Sequence, residues 1–320
     1  MENTLSSDPP DVAGLRWRPI TRDDLAALVA LAAECYLTDG GLASMNEPDN
    51  LLNRYLRDEA SSGIGAFAAD ASLVACVSVR VARDSETARA ICVGQVLPAL
   101  RDRGIGAYLL RWSEAKARTL FAAAAADKRV LQVATESLSG SADHLYRSRG
   151  FASVFEERVM RRSLDLPLPE RVMPPGVTIT SWQPALAELF FRAYEASFRD
   201  RPGFPWRTGV EWISVTADDD DFKPEWSLLA QAGGEPVGFL TADRGNLSGY
   251  VAQVGVTPGL RRRGLGSALV VEAMRRMREA GARVVHLTVN VNNPGAAQVY
   301  VNLGFDFVGR RARYERTADP

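Results

Sequence analysis

The apolar positions of the chain form two similar series. In the first, "DDLAALVALAAECYL" (23–37) carries apolar residues at helical spacing, and "GAFAAD" (65–70) and "LVACVSVRVA" (73–82) follow as strand candidates. In the second, "PALAELFFRAYEASF" (184–198) has the helical spacing, and "SLLAQAGGEPVGFLTAD" (227–243) follows as two apolar runs hinged at Gly233-Gly234, a hairpin signal. Each series continues with a strand that ends before a proline, Pro98 or Pro258. A helix opening on glycines comes next. In the second series Leu265, Leu269, Ala273 and Met277, with Val270 and Met274, share one face, while Glu272, Arg275, Arg276 and Glu279 point away; Gly281 stops the helix. Ile105, Tyr108, Leu109, Trp112 and Ala115 form the same stripe in the first. A further strand ("RVLQVATES", 129–137; "RVVHLTVNV", 283–291), a short helix and a last strand complete each series. The pattern predicts an α+β (mixed α/β) fold made twice, each copy a mixed, mostly antiparallel sheet flanked by helices.

The punctuation repeats as well. Arg101-x-x-Gly104-x-Gly106 answers Arg261-x-x-Gly264-x-Gly266 at an offset of 160, and "LYRSRGF" (145–151) answers "VYVNLGF" (299–305) at an offset of 154. The Ala-rich stretch 121–128 is the expected place for the six extra residues of the first copy. Between the copies "LDLPLPERVMPPG" (164–176) holds four prolines and reads as an extended linker. The expected organisation is a polar, disordered lead at 1–14, an N-terminal domain at 15–165, a linker at 166–176 and a C-terminal domain at 177–320.

Composition narrows the function. At 320 residues, 46% apolar, 24% charged and net charge −1, the chain reads as a soluble protein without a basic field for nucleic acid. No apolar run reaches membrane-spanning length, and the N-terminus lacks the pattern of a signal peptide, so a cytoplasmic protein is expected. Cys35, Cys76 and Cys92 are too few and too scattered for a disulfide framework or a zinc site. The two histidines, His144 and His286, read as packed or surface residues, so no metal is expected. Arginine outnumbers lysine 35 to 3, which suggests a GC-rich bacterial genome.

The strongest chemical signal is "VTPGLRRRGLGSAL" (256–269). A helix N-terminus carries N–H groups without partners and partial positive charge, and glycines let a ligand reach them. Gly264 and Gly266 bare the backbone, Ser267 adds a hydroxyl and Arg261, Arg262 and Arg263 add charge, so a diphosphate fits. One copy of Arg-x-x-Gly-x-Gly arises by chance in roughly one chain in five of this composition; two copies in register, each between strand and helix, carry far more weight. The third glycine and the acidic residue of a dinucleotide site are missing, as is the Gly-Lys-Ser/Thr of a P-loop.

These motifs resemble the GNAT superfamily of acyl-CoA-dependent N-acyltransferases, whose signature is Arg/Gln-x-x-Gly-x-Gly/Ala at a helix start, joined here by "NNPGAAQVYVNLGF" (292–305). The resemblance covers both halves, and the paired form is similar to the two-domain mycothiol synthase branch. It implies acetyl-CoA as the acyl donor. It further implies that the backbone of Val254, Gly255 and Val256 holds the pantetheine arm, and that the amides of Arg261, Arg262, Arg263, Gly264, Leu265, Gly266 and Ser267 cradle the pyrophosphate. Asn293 would bind the arm, and Tyr300 would act as general acid toward the CoA thiolate. The matching first-half positions are Gly94, Gln95, Val96, Arg101, Asp102, Arg103, Gly104, Ile105, Gly106 and Ala107, with Tyr146. Ser139 stands there in place of Asn293, which makes the second half the expected active domain.

The base is open. Many members of the family place a glutamate eight residues before the proline, where this chain has Tyr250 and Ala90; Asp243 or Glu225 would have to serve. For the acceptor side, Tyr250, Trp206 and Glu47 are the candidates. The stretch 197–226, with Trp206, Trp212, Trp226, Phe204 and Asp218 to Asp221, reads first as a loop anchored by its tryptophans with a solvated acidic run. Residues 37–50 read as a flexible segment. The expected activity is direct acetyl transfer to a small-molecule primary amine in a ternary complex, by a monomer or a homodimer, with acetylation of a cysteinyl sugar as one version. The competing expectations are a non-catalytic acyl-CoA sensor or scaffold and a protein acetyltransferase.

Overall fold

A computed structural model describes residues 14–57, 62–83, 86–122, 126, 128–200 and 207–318. The chain forms two compact units: unit 1 is residues 1–158 with 308–320, and unit 2 is residues 159–307.

Unit 1 begins with β1 (Arg16–Pro19), α1 (Leu25–Asp39) and α2 (Pro48–Tyr55). The strands β2 (Ser62–Phe67), β3 (Leu73–Arg83), β4 (Thr87–Val96) and β5 (Lys128–Thr135) follow, with α3 (Ile105–Ala122) between the last two and α4 (Gly140–Ser148) after them. The strands lie in the order β1-β2-β3-β4-β5, antiparallel except for the parallel pair β4–β5. Residues 123–125 and 127, where the six-residue insertion is expected, lie outside the described residues.

Unit 2 repeats the plan: β7 (Val177–Ser181), α5 (Ala187–Phe198), α6 (Gly209–Ala217), β8 (Leu228–Ala232), β9 (Glu235–Arg244), β10 (Ser248–Val256), α7 (Leu265–Glu279), β11 (Val284–Asn290) and α8 (Pro294–Asn302). Its order is β7-β8-β9-β10-β11, with β10–β11 the parallel pair. Gly233 and Gly234, both at positive φ (59° and 83°), make the β8–β9 turn. α7 buries the stripe read from sequence, Leu265, Leu269, Val270, Ala273, Met274 and Met277, against β9, β10 and β11.

The long last strands differ from a division into consecutive halves. Of β6 (Ala152–Ser163), residues 159–163 belong to unit 2, where the strand neighbours β11; of β12 (Asp306–Thr317), residues 308–317 belong to unit 1, where Ala312–Thr317 pair antiparallel with Val130–Thr135 of β5. The chain therefore enters unit 2 at 159, not after a linker, and its C-terminus returns to unit 1. The physical reason is that a repeated sequence makes the two last strands interchangeable edge partners. The Pro-rich stretch forms no helix or strand, yet it is not a free spacer: Leu164 is fully buried, Leu168 and Met173 pack on the unit 2 core, and Arg162 donates to the carbonyls of Leu303 (2.7 Å), Ser163 (3.0 Å) and Pro167 (2.7 Å). The segment 37–50 also differs from its reading as flexible. Pro48 opens α2 at a position where its missing N–H costs nothing, and Leu51 and Tyr55 are buried beneath it.

Candidate active site

Both parallel pairs splay. β10 pairs with β11 only from Ser248 to Val251, although β10 runs on to Val256; β4 pairs with β5 only from Thr87 to Cys92, although it runs on to Val96. Past those points the main chain on the splayed side has no strand partner among the described residues. In unit 2 a β-bulge between Val251 and Gln253 adds a residue, so Tyr250, Gln253 and Gly255 face α5 and α6 while Val251 and Val254 face α7.

Each splayed strand runs into a glycine corner, and the two corners have one backbone shape. Asp102 and Arg262 sit at φ 60° and 62°, Gly104 and Gly264 at 83° and 84°. The N–H groups of 102–107 and of 262–267 make no hydrogen bond among the described residues, whereas those of Arg101 and Arg261 return to Pro98 O and Pro258 O (3.3 Å each). A Cβ on Gly264 would meet nothing within 4 Å, and one on Gly266 only Val256 Cγ2 at 3.5 Å. The amides are thus bare and reachable, the condition for an anionic ligand.

The first arginine of the motif has a different task from the one its charge suggests. Arg261 folds back to Val256 O (3.1 Å) and Ser197 O (2.9 Å); Arg101 does the same to Val96 O (3.2 Å) and grips Asp39 through two bonds (2.7 and 2.6 Å). Each pins the strand end to the helix above it. The Asp39 side chain is only 8% exposed and would be left unpaired by Arg101→Ala, so that variant is expected to lose about 3–5 kcal/mol. Arg261→Ala, which frees only carbonyls at an exposed position, should lose about 1–3 kcal/mol. Urea melts of the two variants check the order.

Beside the unit 2 corner lies a groove of about 140 Å³ lined by Val254, Gly255, Val256, Gly266, Val270 and Tyr300, with Ala296 and Val299. Tyr300 packs edge-on to Phe305 (5.9 Å between centroids), and burial, with the nearby Tyr250, pushes its hydroxyl up to about 12, so it keeps its proton at neutral pH. Asn293 caps α8 through Oδ1 to Ala296 N (3.2 Å); Ser139 caps α4 identically through Oγ to Ala142 N (3.2 Å). The Asn/Ser difference used to rank the halves is therefore an exchange of one cap for another.

Across the strands, Asp243 of β9, Tyr250 of β10 and His286 of β11 stand in one row on the face toward α5 and α6. Burial first, then Asp219 and Asp221, raises the Asp243 carboxyl to about 7. Tyr250 OH shares a hydrogen bond with Thr288 Oγ1 (3.1 Å). His286 is buried, and burial with Arg161 lowers it to about 4, so it is neutral. Glu225 stands apart: it is exposed, and its carbonyl accepts from Arg276 near the far end of α7 (2.9 Å). Glu47 is the residue before α2, while its neighbours Met45 and Asn46 line a cavity described below. Trp206 and Phe204 lie outside the described residues. Trp212 is buried on α6 and donates from Nε1 to Gln253 Oε1 (3.3 Å), a contact with no sequence signal. Asp218 accepts from Ser214 Oγ (2.6 Å) and Asp219 from Asp221 N (2.9 Å), so both brace local turns.

The sequence pattern of the acetyltransferase (GNAT) family matches residues 25–151 and again 184–305, most of the chain. The chain belongs to the GNAT family. It is an N-acetyltransferase of the tandem form, in a family that uses acetyl-CoA. A mycothiol acetyltransferase of Thermomonospora curvata is 32% identical over 213 residues, 66% of this chain and 68% of that protein. One of Frankia alni is 28% identical over 329 residues, 95% of each chain. A GCN5-related N-acetyltransferase of Sphaerobacter thermophilus has a TM-score of 0.77 at 26% identity and 98% coverage of both chains. A tandem GNAT protein from the clavulanic acid biosynthesis pathway shares the fold at TM-score 0.64 and 16% identity, over 96% of this chain and 99% of that one. Among the described residues of this GNAT chain no helix is long and apolar enough to cross a membrane, and no group of His, Cys, Asp and Glu could hold a metal ion.

Proposed function

We propose that this chain transfers an acetyl group from acetyl-CoA directly to a small-molecule primary amine in a ternary complex, with its working centre in unit 2. The observation that carries the reading is the open corner at 262–267 running into an apolar groove that ends on Tyr300. Acetyl-CoA, when bound, supplies the thioester carbon that the amine attacks. The N–H groups of Arg262 to Ser267 hold the pyrophosphate, and the main chain of Val254 to Val256, on the side turned away from β9, holds the arm. The side-chain N–H₂ of Asn293, whose oxygen is committed to its cap, is a further donor to it. As the N–C bond forms and the C–S bond breaks, Tyr300 hands its proton to the departing sulfur and takes back the second proton that the attacking nitrogen loses in becoming the amide. Asp243 accepts the proton that the ammonium form of the acceptor must lose, since its carboxyl titrates near neutrality in the row of Tyr250. Tyr250 borders the acceptor.

Unit 1 has the same corner but, among the described residues, no base equivalent to Asp243. Its buried carboxylate, Glu136, is disfavoured by burial, yet Arg311 and then Arg313 hold it below the ordinary carboxylate range, so it takes no proton at neutral pH. Unit 1 in this reading holds acetyl-CoA without leading turnover, and the protein works in the cytoplasm as a monomer or homodimer. A narrower version, acetylation of a cysteinyl sugar, is supported by the name of the relative that matches over 95% of the chain.

Release of free thiol from acetyl-CoA against a panel of primary amines, a cysteinyl sugar among them, tests the reading. Tyr300→Phe is expected to lower kcat about 10- to 100-fold with KM for the amine little changed, whereas Tyr146→Phe stays within about twofold. Thiol release with no amine, or full activity in Tyr300→Phe, would overturn it.

A further inference from the structure

Among the described residues unit 1 holds a cavity of about 370 Å³, against a groove of about 140 Å³ beside the corresponding corner of unit 2. It starts at the glycine corner, beside Gly104, Gly106 and Tyr146, and passes through the gap where β4 and β5 part. It ends on the face toward α1 and α2, among Leu42, Met45, Asn46, Arg54 and Glu136. One position in the repeat explains the difference. Gln95 in unit 1 corresponds to Gly255 in unit 2, 160 residues on. A Cβ at Gly255 would meet Ser197 Cβ at 2.6 Å and Phe239 Cε1 at 2.7 Å, so α5 lies tight on the strand and closes that face. Gln95 instead carries a full side chain at the cavity wall. Its Oε1 is shielded from solvent and accepts no hydrogen bond among the described residues. A buried acceptor of this kind calls for an N–H or O–H donor.

The far end of the cavity also carries a guanidinium with spare donors. Glu136 is engaged by Arg311 and Arg313, and Arg101 by Asp39. Among the described residues Arg54 makes no salt bridge; it gives one long hydrogen bond to Met45 O (3.3 Å), lies over the Tyr55 ring (5.6 Å) and stands close enough to Glu136 to help lower that carboxyl. A guanidinium in a lined cavity is matched by a planar anion, and carboxylate fits its paired donors. Leu42, Met45 and Cys35 make the adjoining wall apolar.

We propose that the unit 1 cavity is a binding site for a small amino acid with an apolar side chain, whose carboxylate pairs with Arg54 and whose N–H donates to Gln95 Oε1. The volume is that of a small-molecule site. The site is separate from the transfer centre placed in unit 2 and does not depend on it.

Methyl NMR of methionine-labelled full-length protein reads it directly, because Met45 lines this cavity while Met160, Met274 and Met277 lie in the unit 2 core. L-leucine, L-methionine and L-phenylalanine are titrated beside their amides, which keep the amine and lose the carboxylate. Saturable shifts of Met45 are expected with the acids, with the unit 2 methionines still, and at least tenfold weaker binding of the amides. Arg54→Gln should weaken the acids about tenfold or more, and Arg54→Lys should restore part of it. The same titration in Tyr300→Phe protein should be unchanged, so a failure of transfer in unit 2 and a failure of this site are told apart. Met45 unmoved by every acid, equal binding of acids and amides, or full binding by Arg54→Gln in folded protein would each overturn the proposal.

Discussion

Asp243→Asn is expected to lower kcat/KM for amine acetylation at pH 7.5 by roughly 10²- to 10³-fold while making the folded protein more stable. The kinetic loss follows from the task of Asp243. The acceptor amine is mostly an ammonium at that pH and cannot attack until a proton leaves. Burial, with Asp219 and Asp221 adding negative charge, holds the carboxyl at about 7, so it is largely ionised at 7.5 and protonated at 6. The wild-type rate should therefore rise with pH through about 7, and this limb should vanish in the asparagine variant.

The stability change has the opposite sign. The folded carboxyl binds its proton more tightly than the unfolded one, whose value is near 3.8. Between those values the native state holds the extra proton, so wild-type stability falls as pH rises from about 4 to 7. Asparagine carries no charge to desolvate. Discounted for partial exposure, the variant should gain on the order of 2 kcal/mol over wild type at pH 8 and little at pH 4. Paired urea melts at pH 4 and pH 8 check this, and a kcat/KM within threefold of wild type would remove Asp243 from the mechanism.

Gly266→Glu is expected to raise the KM for acetyl-CoA 100-fold or more without unfolding the protein. The position is inside the first turn of α7, where a side chain is compatible with helix, and its Cβ meets only Val256 Cγ2 at an ordinary 3.5 Å. The added carboxylate would lie against the bare amides and repel a diphosphate. Gly106→Glu makes the same change at the unit 1 corner, where Leu145 Cδ2 stands 3.3 Å from the new Cβ. If unit 2 is the working centre, Gly106→Glu leaves turnover within about threefold and removes only the acetyl-CoA bound in unit 1, as stoichiometry by calorimetry would report. The reverse pattern would move the working centre to unit 1.

Much of this was legible in the chain itself. The period of Leu265, Leu269, Ala273 and Met277 specified α7 and its buried face, because a helix shows its core side every three or four residues. The paired Arg-x-x-Gly-x-Gly motifs placed both corners, because only glycine is comfortable at the φ of 83° and 84° found at Gly104 and Gly264. Local signals of this kind need no knowledge of what lies across the sheet.

What the tertiary structure decided depends on partners far apart in sequence. The motif arginines became clamps because Ser197 and Asp39 happen to lie above the strand ends. The β-bulge after Val251 set which residues share a face with Asp243. The last strands went to units that a boundary read from prolines assigns otherwise. Gln95 and Gly255 occupy matching places in the repeat, yet only the packing shows that Gln95 lines a cavity while α5 lies tight on Gly255. Spacing along a chain determines which elements form and where a bare backbone turn must fall. Which side chains meet, and which carboxylate is forced to titrate near neutrality, is settled only when packing excludes water from one group and not another.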